Sequence, residues 1–194
     1  DGSYAAFTSG ASNLVPGVDG GPQVYIKNLK TGEITVASSS KDGLAGQGYS
    51  AVTPNSFSAN GRYLAFQSDA QNLVLKDTNG VQDIFIKDLW SGEIERVSTA
   101  GVQVDDHARL VGISDDGKSV TFSTYSASID PFGDNGSDIF IAKNPLFNFW
   151  NKIEDGVLVI DGFAESLVYS LEDNQTVKIV DSFGYELLLT DVSE

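Results

Sequence analysis

Three copies of one glycine–aromatic unit restrict this chain to a fold that repeats. Asp1-Gly-Ser-Tyr-Ala-Ala-Phe7 overlays Asn60-Gly-Arg-Tyr-Leu-Ala-Phe66 and, more loosely, Asp116-Gly-Lys-Ser-Val-Thr-Phe122, at offsets of 59 and 56 residues. A period of that length is one supersecondary unit. Downstream of the first two units, Asn13-Leu-Val15 matches Asn72-Leu-Val74, with Ser128-Ile129 as a weaker third copy.

The second copy is the fullest. Its predicted strands are Ala51–Phe57, Tyr63–Ser68, Asp83–Leu89 and Ile94–Ser98, separated by Asn-Gly and Ser-Gly pairs that favour antiparallel turns. The first copy begins inside its second strand, and the third loses its last hairpin after Asn144-Pro145. No stretch holds a helical period for ten residues with caps, so the fold is expected to be all-β. The architecture implied is propeller-like: about three repeats of a four-stranded antiparallel sheet over residues 1–144. Residues 145–194 change pattern. Val157–Asp161, Leu167–Leu171, Val177–Val180 and Glu186–Thr190 read as a four-stranded β-meander, expected to pack on the repeats as part of a single compact domain.

Composition narrows function more than it narrows fold. The formal net charge is -15, from 27 acids against 12 bases, which disfavours a nucleic-acid partner. Nineteen of the acids are Asp, the short carboxylate that favours turns and hard cations. Zero Cys excludes disulfides and thiolate chemistry, and zero Met makes the chain read as cut from a longer one. No apolar run reaches the length of a membrane span. A single histidine, His107, and no nucleophile motif argue against hydrolytic catalysis, so no enzyme activity is expected.

The sharpest chemical motif is the loop Asp77-Thr-Asn-Gly-Val-Gln-Asp83. Asp77, Asn79 and Asp83 offer side-chain oxygens, and the Val81 carbonyl can add another, the donor type that Ca2+ takes. Asp69 is a further candidate. The third copy offers Asp130, Asp134, Asn135 and Asp138, whereas the first has Asp19 and Gly20 but Gln23 where the closing acid should be. The same Asp-x-Asn-Gly pattern also makes an ordinary turn whose carboxylates bond nearby amides. Asp105 and Asp106, next to His107 and ahead of Asp115 and Asp116, form a second acidic cluster, read either as a ligand contact or as a solvated loop near Arg109. Of the turn-borne aromatics Tyr49, Trp90, Tyr125 and Phe132, the last two precede the third acidic loop and are the candidates for ligand contact.

The pattern of Ser58–Phe66 followed by Asp77–Glu93 resembles the TolB-type β-propeller repeat, in the variant found in large bacterial surface proteins. Val157-Leu-Val-Ile-Asp-Gly-Phe163 and Leu187-Leu-Leu189 are similar to segments of repeats-in-toxin adhesins. That resemblance implies a calcium-dependent module of a bacterial cell-surface adhesin, extracellular and monomeric within a longer multidomain chain. It would bind a peptide or protein C-terminus on a neighbouring cell; the alternative is a carbohydrate-binding or purely structural module of a secreted protein. Three copies are fewer than the four to eight blades of an ordinary propeller.

Overall fold

The computed structural model describes residues 2–18, 21–99, 103–129 and 136–147, together with the backbones of five strands between Ile153 and Leu189. The described residues contain strands and turns and no α-helix. The chain divides into two compact units, Asp1–Phe147 and Asn148–Glu194.

The first unit is three antiparallel sheets in series. Strands β1 (Tyr4–Ser9), β2 (Gln23–Asn28) and β3 (Ile34–Val36) pair in chain order to make the first blade. Strands β4 (Ser50–Ala51), β5 (Tyr63–Ser68), β6 (Asp83–Asp88) and β7 (Ile94–Arg96) make the second, again in chain order. The third holds β8 (Ala108–Ile113), β9 (Ser119–Thr124) and β10 (Asp138–Lys143). The chain is therefore all-β, with propeller-like sheets, as the repeat implied. The equivalent positions share one geometry: Phe7–Tyr25, Phe66–Phe85 and Phe122–Phe140 stack at 5.7, 5.7 and 5.6 Å between ring centroids.

Alternation along each strand sends side chains to two opposite faces, and the blades bury those faces against one another. Val24, Ile26 and Ala37 of the first blade pack with Leu64, Phe66, Phe85 and Ile94 of the second. The opposite face of the second blade, with Tyr63, Ala65, Ile84, Ile86 and Val97, packs with Ala108, Leu110, Val120 and Phe122 of the third. Being covered on both sides makes every residue of β6 buried, Lys87 and both flanking acids included.

One expectation is corrected. The strand read at Ala51–Phe57 survives only as Ser50–Ala51 plus an isolated bridge between Phe57 and Leu64. Pro54 has no amide to give a ladder, and Thr53 N donates to Ser56 Oγ at 2.9 Å instead, turning the chain. The Asn55 carbonyl then accepts from Ile113 N at 2.9 Å, tying this turn to β8. The second unit carries an antiparallel β-meander, of three strands among the described residues. It holds a two-stranded pair, β11 (Ile153–Glu154) with β12 (Val157–Leu158), and a separate sheet of β13 (Val168–Asp173), β14 (Thr176–Val180) and β15 (Glu186–Leu189).

Candidate functional site

Asp83 opens β6 and is fully buried. Its Oδ1 accepts from Ser98 Oγ at 2.5 Å, and Ser98 Oγ accepts in turn from Ile84 N at 2.9 Å. Its Oδ2 accepts from Asn79 Nδ2 at 2.8 Å, and the same amide donates to the Val104 carbonyl at 3.1 Å. Asn79 Oδ1 accepts from Val81 N at 3.3 Å. The loop thus points an N–H group, not an oxygen, at Asp83. Gly80 turns the chain there with φ 68, a region that favours glycine.

Asp77 is buried as well. Its Oδ1 accepts from Arg96 Nη1 at 3.2 Å and from Gln103 Nε2 at 3.4 Å. The same Arg96 Nη1 lies 3.5 Å from Asp83 Oδ2. One guanidinium nitrogen therefore stands between both carboxylates, while Arg96 Nε is buried with no hydrogen-bond partner. The Asp77 carboxyl is raised above its usual range, first by burial and then by the Asp83 charge, with Arg96 opposing.

These residues do not fit Ca2+ as they are arranged. The ion needs six to eight oxygens. Here Asn79 presents its NH2, both Asp83 oxygens already take donors, and a resident cation occupies the gap. Asp69 is engaged elsewhere, accepting from Tyr49 N at 2.6 Å. Among the described residues no group of three or more His, Cys, Asp and Glu side chains is placed to hold a metal ion.

Of the third-copy set, Asp130, Phe132, Asp134 and Asn135 lie outside the described residues. Asp138 opens β10 and is half-buried. The second acidic cluster is described. Asp105 Oδ1 accepts from Ser126 Oγ at 2.5 Å and Ser128 N at 3.3 Å, and the Ser126 hydroxyl is the main cause that holds its carboxyl below the usual range. Asp106 Oδ1 accepts from His107 N at 2.6 Å, so it caps its own neighbour. His107 Nδ1 accepts from Gln82 N at 2.9 Å, which commits that nitrogen's lone pair to the backbone. Asp116 is tied down by Ser114 Oγ, which lowers its carboxyl, and by Lys118 N. The structure brings Asp105 together with Ser126 and Ser128 beside Tyr125, which is 58% exposed.

Sequence reasoning passed over three groups. Arg96 was hidden because the outer strand Ile94-Glu-Arg96 carries no motif. Lys87, directly after the apolar run Ile84-Phe-Ile86, was the legible signal: it reaches back to the first blade and donates to Ser39 O and Ser39 Oγ, both at 2.7 Å. Burial pushes its amine down to about 8. The third group is Ile139 and Ile141, 70% and 75% exposed on β10. Register places Ile139 beside Ser123 and Ser123 beside Arg109, one row across the third sheet, with Ile141 beside Thr121 in the next. Arg109 and Val111 are exposed on that same face, opposite the buried Val120 and Phe122.

No protein-family model matches the chain, and no curated protein matches it. Among solved structures, it is similar to a protein assigned as TolB from Agrobacterium tumefaciens, with TM-score 0.43 and 15% identity over 98% of this chain and 62% of that one. It is also similar to the tricorn protease, with TM-score 0.40 and 17% identity over 87% of this chain and 20% of that one. The chain thus spans about three fifths of the first structure's length and a fifth of the second's. The fold assignment follows from the strand pairing given above.

Proposed function

We propose that the chain is a non-catalytic binding module that takes a peptide or protein C-terminus on the open face of its third blade. The observation that carries this is the contrast between two strands that begin with the same four residues. Asp83-Ile-Phe-Ile86 and Asp138-Ile-Phe-Ile141 have the same sequence, yet Ile84 and Ile86 are fully buried and Ile139 and Ile141 are exposed. An apolar pair with a guanidinium on the same face suits an apolar terminal residue followed by a free carboxylate. Arg109 gives the face a positive group in a chain of net charge -15. Tyr125 and, from the sequence, Phe132 would flank the ligand, with Asp105 and Asp106 at the base of the Tyr125 segment. The buried acids of the second blade are engaged internally, which also favours binding over acid–base chemistry.

Calcium enters this reading through the third copy, where Asp130, Asp134, Asn135 and Asp138 remain the candidate ligands. The setting proposed is a bacterial cell-surface adhesin. A purely structural module is the second reading, favoured by the internal role of Asp83. Fluorescence anisotropy with labelled peptides ending in Leu, Val or Ile tests the first. Binding at micromolar Kd, about −8 kcal/mol, that is lost on C-terminal amidation and in Arg109→Gln and Ile141→Asp is the expected result. Binding indifferent to amidation and to both substitutions would exclude it, and the same titrations in EDTA decide the calcium contribution.

A further inference from the structure

The open face of the third blade differs from its counterpart on the second in chemistry as well as exposure. The second blade turns Tyr63, Ala65 and Gln67 of β5 toward the third, and at the matching positions of β9 stand Ser119, Thr121 and Ser123. Ala51 pairs with Gln67, whereas Arg109 pairs with Ser123. Asp88 pairs with Tyr63 at the end of β6, whereas Lys143 pairs with Ser119 at the end of β10. Three hydroxyls and two cations thus replace the residues around the isoleucine pair. Tyr63 and Ala65, at 1% and 0% exposure, help to bury a neighbouring blade, and they are among those given up. Arg109 and Lys143 are exposed, and neither has an ion pair among the described residues. None of the residues that register places on this face between them is acidic.

Resting on the reading that this face takes a peptide C-terminus, we infer that the ligand carries a second anion: an Asp or Glu side chain four or five positions before its last residue, taken by Lys143 while Arg109 takes the terminal carboxylate. The spacing follows from the sheet. Arg109 and Lys143 stand at opposite corners, two strands apart, and Lys143 lies four residues beyond Ile139, which shares the row of Arg109. Strands lie about 4.8 Å apart and rise about 3.3 Å per residue, so the corners are about 16 Å apart. An extended peptide covers that span in about five residues. The diagonal between the two cations crosses Thr121 at the middle of β9, with Ile139 and Ile141 to one side of it. The hydroxyls beneath can donate to or accept from the passing peptide backbone, and the isoleucines receive its apolar side chains. Two cations without internal partners match two anions on one ligand.

Anisotropy titrations with a peptide series test this, with millimolar calcium present throughout. One peptide is neutral upstream of an apolar last residue with a free carboxylate; the others carry a single Glu walked from two to seven positions before that residue. Glu four or five positions before the last is expected to tighten binding about three- to fivefold over the neutral peptide, as an exposed ion pair does, and Glu elsewhere to do less. Lys143 is exposed, so substitutions there leave the core intact. Lys143→Gln should erase the gain, and Lys143→Glu should transfer it to a peptide with Lys at the same position. Lys27→Gln, at an exposed lysine of the first blade, should keep it. A gain that ignores the position of the Glu, or that survives Lys143→Gln, would overturn the inference. Carboxylate-dependent binding of the neutral peptide with no gain from Glu at any position would also overturn it, while the C-terminal reading would stand. If no peptide in the series binds, or if binding ignores amidation, both fall.

Discussion

The first two blades reach the same hydrogen-bonded geometry with different chemistry. In the second, Asp83 takes the Ser98 hydroxyl while Asn79 carries the bond on to the Val104 carbonyl. In the first, Gln23 does both alone: Oε1 accepts from Ser38 Oγ at 2.6 Å, and Nε2 donates to the Gly46 and Gly48 carbonyls at 3.0 and 2.8 Å. Ser38 accepts from Val24 N just as Ser98 accepts from Ile84 N. What the fold demands at this position is an acceptor for the serine, and a charge is optional. Once the acid is chosen and buried, a counter-ion becomes obligatory, and Arg96 supplies it. The acidic loop that looked like a metal site is, in this blade, one solution to a hydrogen-bonding problem.

The largest effect should come from removing the acceptor altogether. Asp83→Ala leaves Ser98 Oγ and the Asn79 amide without their partner and Arg96 with one carboxylate, a loss of about 3–4 kcal/mol in urea unfolding. Asp83→Gln, which imports the first blade's solution, should cost less than half as much. Equal losses for Ala and Gln would break the parallel between the blades.

A second difference concerns the lysine on the face that each blade turns backward. Lys87 is buried on the first blade's Ser39, whereas its counterpart Lys27 is exposed. Burial pushes the folded-state amine of Lys87 down to about 8, below the ordinary lysine value of 10.5. The charged form is therefore disfavoured by folding, and that penalty is complete below pH 8. It is relieved as pH rises toward the unfolded value, so the contribution of Lys87 to stability grows with pH across this window. Relative to Lys87→Met, wild type should gain roughly 1–2 kcal/mol between pH 8 and 9.5. Lys27→Met should leave the pH dependence unchanged, and parallel curves for wild type and Lys87→Met would remove burial as the cause.

The smallest effect lies in the backbone. Lys76 has φ 66 where the first copy has Gly17 at φ 78. A left-handed lysine is strained, so Lys76→Gly should be neutral or stabilising by up to about 1 kcal/mol, against the usual cost of a glycine substitution. A clear destabilisation would mean that the lysine side chain contributes something its counterpart lacks.

Much of the fold was legible because local rules and global packing agree there. Tyr63–Ser68 is the strand its sequence predicts, since its apolar run, covered on both faces, and the flanking Asn-Gly turn point the same way. The failures have physical causes. Thr53-Pro54 interrupts an otherwise strand-like run, because a missing amide outweighs β propensity. The exposure of Ile139 and Ile141 could not be read from residues identical to Ile84 and Ile86, because burial is decided by the sheet that lies opposite. Arg96 escaped notice for a related reason. Nineteen residues separate it from Asp77, and only the pairing of β6 with β7 brings them together.

The most direct test of the central claim transplants one blade's solution into the other. Asp77→Val/Asp83→Gln/Arg96→Val gives the second blade the first blade's residues at all three positions. If acids and arginine are one interdependent set, the triple variant should melt within a few degrees of wild type, while Arg96→Val alone melts on the order of 5–10 °C lower in EDTA. A triple variant as unstable as Arg96→Val, or more so, would contradict the account.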